Sequence, residues 1–215
     1  MKTITRLFLC MLLLTPLLVK AQEPLLLSSV RVNAGLKLGA NLAKLDGENW
    51  DGGYKTNLLG GIYVRIHNGR WGVQGEGFFT QSDYTTGKDF NSIYKQYLQA
   101  GKDSLSKGTF RVSYFNIPLM AQVKLLSRVW LQVGAQYSGI VSVKDKDQFV
   151  KDAEGLFDNG SFAAIGGLWL DLPLHFNVGA RYILGFSNLN NVNETTAQES
   201  WKQRNVQIHV GYNIF

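Results

Sequence analysis

Residues 30–42 read VRVNAGLKLGANL, and this stretch decides the fold because apolar side chains alternate without a break with polar or small ones. A period of two predicts a β-strand with one apolar face, since successive side chains of a strand point to opposite sides. An ordinary soluble strand has about five or six residues, whereas a tilted strand that crosses a bilayer needs about 9–11. The stretch therefore predicts a transmembrane β-strand.

The same alternation returns along the rest of the chain. It predicts seven further strands, at 58–66, 71–80, 114–125, 129–141, 161–170, 174–186 and 205–214. The faces of the Gly-rich segment 161–170 are not assigned by the pattern. Eight is an even number, as in single-chain outer-membrane barrels.

The connections between these segments alternate in length. The long ones are 43–55, 81–109, 142–160 and 187–203, and the short ones are 67–69, 126–128 and 171–173. Asn68-Gly69 and Leu172-Pro173 are typical of tight turns. The sequence thus predicts an all-β fold, an eight-stranded antiparallel up-and-down transmembrane β-barrel with short periplasmic turns and long extracellular loops.

The alternative fold is a soluble antiparallel barrel, in which the polar faces of the strands would point outward. The charges speak against it, because they are concentrated in the loops, above all in 142–160, while Asn, Gln, Gly and Tyr dominate the polar strand faces. A soluble exterior normally carries many Lys and Glu residues. The lumen of an eight-stranded barrel is narrow enough to be filled by side chains, which suits small and amide residues.

The N-terminus has the pattern of a secretory signal peptide. Lys2 and Arg6 precede an apolar run at 7–19, which is too short to cross about 30 Å of hydrocarbon as a helix. We expect a signal peptide at 1–21 cleaved before Gln22, a short periplasmic segment at 22–29 and the barrel domain at 30–215.

Removing the signal changes the charge and the cysteine count. The full chain has 22 basic and 16 acidic residues, and the mature chain keeps 19 of the basic ones, a net charge of +3 instead of +6. The single cysteine, Cys10, is lost as well. The sequence predicts no nucleic-acid partner, no metal site and no cofactor, because neither a basic stripe nor histidines at ligand spacing are present.

Two groups of residues are candidates for a functional role. Inside the predicted barrel, Glu76 and Arg181 point inward near mid-height, and Lys37, Gln136 and His209 are expected nearby. A charge in a filled interior must be paired, so we interpret the group as a polar network that holds the barrel shut, with a small polar conduit as the alternative. In the second long loop, the aromatic residues Tyr84, Phe90, Tyr94 and Tyr97 fit contact with a protein or glycan, or a cap over the barrel.

Aromatic residues also cluster at the predicted strand ends. Trp71 and Trp130 begin strands on the short-turn side, and Phe79, Tyr137 and Phe186 lie toward the long loops. Aromatic residues at both ends predict the two girdles by which a barrel meets the membrane interfaces.

Three sequence motifs resemble the PorT-like outer-membrane β-barrel family of Gram-negative bacteria, whose architecture is similar to that of the OmpX and OmpA barrels. The motifs are VQGEGFFTQS at 73–82, YFNIPLMA at 114–121 and GARYILGFSN at 179–188, and the chain ends in an aromatic residue, Phe215. The resemblance covers 30–215. One departure is that Tyr212 stands three residues before Phe215 instead of two, which requires opposite faces or a local irregularity.

The resemblance implies an integral outer-membrane protein that acts as a structural or accessory component, because the family includes an essential component of a protein-secretion pathway. It implies outer-membrane lipid and lipopolysaccharide, the barrel-assembly machinery and an outer-membrane protein complex as partners. A free-standing surface adhesin and a lipid-modifying enzyme are the alternatives. The enzyme is disfavoured because His67, His175 and His209 are not expected at the outer rim.

Overall fold

The computed structural model describes residues 30–99, 107–148, 150–191 and 199–215. The predicted signal peptide at 1–21 and the segment 22–29 lie outside the described residues. Eight antiparallel strands form one closed barrel in the order β1 to β8. Their bounds are β1 (Val30–Asp46), β2 (Lys55–Asn68), β3 (Trp71–Thr85), β4 (Thr109–Lys124), β5 (Val129–Asp145), β6 (Gly160–Asp171), β7 (Phe176–Gly185) and β8 (Lys202–Asn213). The predicted fold class is confirmed.

The closing seam joins the first strand to the last. β1 pairs antiparallel with β8 from Gly35 opposite Asn213 to Asp46 opposite Lys202. Along the seam the faces alternate as the sequence predicts, since Leu38 is 72% exposed on the outside while its neighbour Lys37 is 1% exposed. The apolar residues therefore form an outer band, and the polar residues fill the lumen.

Two differences from the predicted strand bounds have simple causes. β1, β3, β4 and β5 continue into the expected long loops, because their ladder hydrogen bonds persist there. β7 begins at Phe176 instead of 174, because Leu174 and His175 have φ values of 60° and 67° and form the turn. Gly69, at φ 57°, occupies the corresponding position in the turn between β2 and β3.

β6 and the C-terminus resolve the two questions that the pattern leaves open. In β6 the side chains of Ser161, Ala163, Ile165 and Trp169 are buried, which assigns its inner face. Ile214 and Phe215 both donate their backbone N–H to the carbonyl oxygen of Ala34, and both side chains are exposed. The spacing of three residues from Tyr212 to Phe215 is thus accommodated by a local irregularity after β8.

The long-loop end of the barrel is covered by packed loops. Loop 1 is 47–54, loop 2 is 86–108, loop 3 is 146–159 and loop 4 is 186–201. Loop 2 contains a short helix, α1 (Phe90–Ile93), and a single 3-10 turn (Lys95–Tyr97). No helix in the described ranges is long and apolar enough to span a membrane.

Candidate functional site

The middle of the barrel holds one carboxylate between two cations. Glu76 on β3 accepts two hydrogen bonds from the guanidinium of Arg181 on β7, at 2.8 Å to Oε1 and 3.0 Å to Oε2. The ammonium of Lys37 on β1 forms an ion pair with the same Oε2. All three charged side chains are fully buried. The group links strands that lie apart in the sheet and fixes their separation across the lumen.

Neighbouring side chains complete the environment of this ion group. Gln74 donates to Glu76 Oε1 at 2.6 Å and in turn accepts from Gln122 at 2.6 Å, so amides extend the network toward the short turns. The ammonium of Lys37 lies 3.5 Å from the centre of the Phe78 ring, which favours a cation. Met120 packs against Ile165 and Ile183 and fills the space beside Arg181.

The structure brings Lys37 to the predicted pair, places His209 near the three charges without a hydrogen bond to them, and places Gln136 elsewhere. Gln136 donates to Asn116 and Ser138, at 2.9 and 2.8 Å, in a separate amide cluster nearer the long loops. His209 packs against Trp169, with ring centres 5.4 Å apart, and hydrogen-bonds to none of the three charges in the described structure. A β-carbon added at Gly179 would overlap the His209 ring, so the glycine makes room for it.

A second ion pair closes the short-turn end. Arg65 on β2 donates to Asp171 at 2.8 Å, and its guanidinium lies 4.2 Å from the centre of the Trp130 ring. The indole N–H groups of Trp130 and Trp169 both donate to the same carboxylate at 2.8 Å. The alternation along β2 predicts that Arg65 points inward, but an Asp at the end of one strand and a Trp at the start of another carry no sequence signal that they meet it.

The girdle prediction therefore needs a correction at one position. Trp71 is 71% exposed on the outer face, as expected, whereas Trp130 is 1% exposed inside the lumen. The reason is the strand alternation itself, because Trp130 stands next to the outward residues Val129 and Leu131 and so points inward.

The four aromatic residues predicted for the second long loop belong to the cluster of packed side chains that covers the long-loop end, which we call the cap; Tyr84 lies in β3 and the other three in loop 2. Tyr84, Phe90 and Tyr94 are at most 2% exposed, and Tyr97 packs against the same cluster while partly buried. Contact with a protein or glycan requires exposed rings, whereas these rings face inward because burying them removes apolar surface from water. Trp50 of loop 1 lies at the centre, with ring contacts to Tyr84, Phe90, Phe110, Phe157 and Trp201 at centroid distances of 5.0 to 6.3 Å.

Each loop is also joined to the next by backbone or side-chain bonds. Short β-bridges connect loops 1 and 2, loops 2 and 3, and loops 3 and 4; the pairs are Trp50 with Thr86, Leu98 with Val150, and Phe157 with Asn190. Glu199 of loop 4 closes the circle. Its carboxylate accepts from the Asn49 N–H of loop 1, the Tyr94 hydroxyl of loop 2 and the Trp201 indole. Burial raises the pKa of Tyr94 above its usual range, and the adjacent Glu199 carboxylate raises it further.

All three histidines are described, and none lies at the rim formed by the long loops. His67 ends β2 beside Asn33, His175 lies in the turn before β7, and His209 is buried between β1 and β7. Within the described ranges, no three His, Cys, Asp or Glu side chains are arranged to hold a metal ion.

This closed barrel agrees with the family to which the sequence can be assigned. Residues 20–191 match the family described as outer membrane protein beta-barrel domain. The chain belongs to this family. It is thus an integral outer-membrane β-barrel, with periplasmic short turns and extracellular long loops.

Solved outer-membrane proteins are similar to this chain at low sequence identity. Neisserial surface protein A is 10% identical, with 84% of this chain and 97% of that chain covered and a TM-score of 0.50. Ail of Yersinia pestis, solved in complex with the heparin analogue sucrose octasulfate, is 14% identical, with 86% and 99% covered and a TM-score of 0.45. OprG of Pseudomonas aeruginosa is 14% identical, with 86% and 95% covered and a TM-score of 0.43. No curated protein matches the sequence.

Proposed function

We propose that the protein is a non-conducting, non-enzymatic barrel that serves as a structural or accessory component of the outer membrane and presents its folded cap to a partner. The observation that carries the proposal is the ion group of Glu76, Arg181 and Lys37, which fills the lumen at mid-height with fully buried side chains. A conduit for solutes would need hydrated charges there. The Arg65–Asp171 pair below and the Trp50 cluster above add two further barriers.

The partner that we favour is an outer-membrane protein complex. The three PorT-like motifs support this choice, because that family includes a component of a protein-secretion pathway. The accessory role requires that the barrel be held in a complex by residues outside the lumen. The exposed side chains of the cap, such as Lys88 and Glu154, are the part of the protein that a partner outside the membrane can reach.

A free-standing adhesin is the second candidate, and one observation favours it. The bridges between successive loops hold the cap in one arrangement, and a surface that is rigid before binding loses less entropy when it binds. In this case the protein would be a monomer in the membrane, and its cap would bind a ligand on another surface.

Isolation from native membranes in a mild detergent tests the proposal. We expect the affinity-tagged protein to migrate on a native gel as a stoichiometric complex. The double variant Lys88→Glu and Glu154→Lys should release the partner, whereas Arg128→Glu in a periplasmic turn should retain it as the control. A wild-type monomer whose surface binding depends on the cap would favour the adhesin and contradict the accessory role.

A further inference from the structure

The outer surface of the closing seam changes from apolar to basic at one level. On β1 and β8 the outward pairs run from Leu36 opposite Tyr212 up to Leu42 opposite Val206, and all of them are apolar or aromatic. The next two pairs are Lys44 opposite Arg204 and Asp46 opposite Lys202. We call Lys44, Lys202 and Arg204 the seam cations.

The height of the seam cations follows from strand geometry. Eight residues separate Tyr212 from Arg204 along β8. They span about 26 Å of strand, which is about 20 Å along the membrane normal at the usual tilt. The apolar band of such a barrel is about 25 Å tall. Because Tyr212 belongs to the periplasmic end, the seam cations lie where the hydrocarbon of the outer leaflet ends and its headgroups begin.

The seam cations are only weakly neutralised by the protein. The carboxylate in contact with two of them is Asp46, which lies 3.4 Å from the Lys44 ammonium and 3.5 Å from Nε of Arg204. The Asp46 side chain is 49% exposed, so water screens both contacts. Three cations and one carboxylate leave a net charge of +2 at this level.

The guanidinium of Arg204 is held in place while part of it stays available. Nη1 donates to the carbonyl oxygen of Gly185 on β7 at 2.6 Å and to that of Gln203 at 3.2 Å. Nη2 donates to no group in the described part of the chain. A fixed guanidinium with a free N–H edge is suited to a phosphate oxygen. One row below, Tyr182 is 42% exposed toward the lipid and marks the interface.

A second basic group, at the start of β4 and the start of loop 3, differs in this respect. Arg111 donates to both oxygens of Asp83 at 2.7 and 2.9 Å, and Lys146 donates to the same carboxylate at 2.6 Å. Asp83 is 13% exposed, so these two cations already have a close, well-shielded partner. Asp83 thus holds Arg111 and Lys146 at shorter distances than Asp46 holds Lys44 and Arg204.

We infer that the seam cations bind the phosphate groups of a phosphorylated glycolipid of the outer leaflet, the lipid A part of lipopolysaccharide. The lipid chains would lie along the apolar column formed by β1, β8 and the outward residues of β7. The phosphates would then reach Arg204 and Lys44 at the upper end of that column. This site goes beyond a general lipid environment, because it gives one sector of the barrel a preferred lipid.

Lipid binding to the purified, delipidated barrel in a neutral detergent tests the inference, with native mass spectrometry as the measurement. The probes are lipid A with its phosphates and the same lipid A after enzymatic dephosphorylation. Each cation near an anionic lipid contributes about fivefold to affinity, and Asp46 offsets part of the sum. We expect the phosphorylated probe to bind the wild type about 10- to 30-fold more tightly than the dephosphorylated one.

The triple variant Lys44→Gln, Lys202→Gln and Arg204→Gln should lose this preference. A matched triple variant, Lys88→Gln, Lys95→Gln and Arg128→Gln, removes the same charge from exposed sites away from the seam and should keep it. Circular dichroism and gel mobility establish that both variants fold. If the seam triple variant does not fold, Lys202→Gln alone should still weaken binding of the phosphorylated probe about fivefold.

Three results would overturn the inference. The first is equal binding of the two probes by the wild type. The second is an equal loss of preference in the seam variant and in the matched control variant. The third is that excess inorganic phosphate displaces both lipid probes equally, which would indicate a site for the free anion.

Discussion

Replacing Glu76 by glutamine removes the only carboxylate of the central ion group while keeping the shape of the side chain. Lys37 and Arg181 then stay in the lumen with no counter-ion, although both side chains are fully buried. Removing one partner of a buried pair costs about 3–5 kcal/mol of unfolding free energy, and here two cations lose the same partner. We therefore expect a loss of about 5 kcal/mol.

Arg181→Met is the matched variant. It leaves Glu76 with Lys37 and Gln74, so that one cation still faces one carboxylate, and the new side chain lies beside Met120. We expect a smaller loss, about 1–2 kcal/mol. A charge-free triple variant, Lys37→Met with Glu76→Gln and Arg181→Met, should recover most of the stability that Glu76→Gln loses, because no unpaired charge is buried.

The assay is unfolding by urea in detergent micelles, followed by the folded band on unheated gels and by tryptophan fluorescence. With a slope of about 2 kcal/mol per molar urea, Glu76→Gln should lower the midpoint by about 2.5 M. The reasoning is refuted if Glu76→Gln stays within about 0.5 kcal/mol of the wild type, or if Arg181→Met costs more than Glu76→Gln.

Four further predictions concern the cap, a turn and the N-terminus. Trp50→Ala should lower the stability of the cap by about 3–5 kcal/mol. The measurement is the rate at which protease cleaves the extracellular loops on intact cells, which should rise. An unchanged cleavage rate would contradict the claim that packing around Trp50 holds the cap together. Because the pKa of Tyr94 is raised in the folded protein, its hydroxyl stabilises the cap fully below pH 10, the ordinary tyrosine pKa, and less as the pH rises above that value. Tyr94→Phe should therefore reduce the loss of protease resistance at alkaline pH. An identical pH profile of the wild type and the variant would exclude the bond to Glu199 as the cause of that loss. Gly69→Ala should cost about 1 kcal/mol in the same urea assay because φ is 57° there, and no shift would mean that the turn adapts. N-terminal sequencing of the protein from membranes should start at Gln22, and a start at Met1 would rule out the signal peptide.

The alternation of residues was sufficient to predict which side chains enter the lumen. Lys37 and Glu76 each stand between small or apolar neighbours. Because those neighbours face the lipid, the alternation of the strand directs the charged side chain into the lumen. The same rule predicted the outward position of Leu38. It was weaker in β6, where Gly166 and Gly167 stand together and neither face has a clear polarity.

Pairing across the lumen could not be predicted in the same way. The inward charges Glu76 and Arg181 were expected to pair, but whether Lys37 hydrogen-bonds to them, and whether Arg65 meets Asp171, depends on the tilt and stagger of the strands, which the pattern within one strand does not contain. The cap depends on contacts between loops that are far apart in sequence, such as Trp50 with Trp201. Such loop residues follow no period, so their burial becomes visible only in three dimensions.

Conductance across a planar lipid bilayer tests the central claim most directly, because the claim is that buried side chains close the lumen. The purified wild-type barrel should insert without producing open-channel currents, at any polarity and with the cap intact. Steady ohmic channels from the wild type would contradict the closed lumen formed by Lys37, Glu76 and Arg181, and with it the proposed non-conducting role.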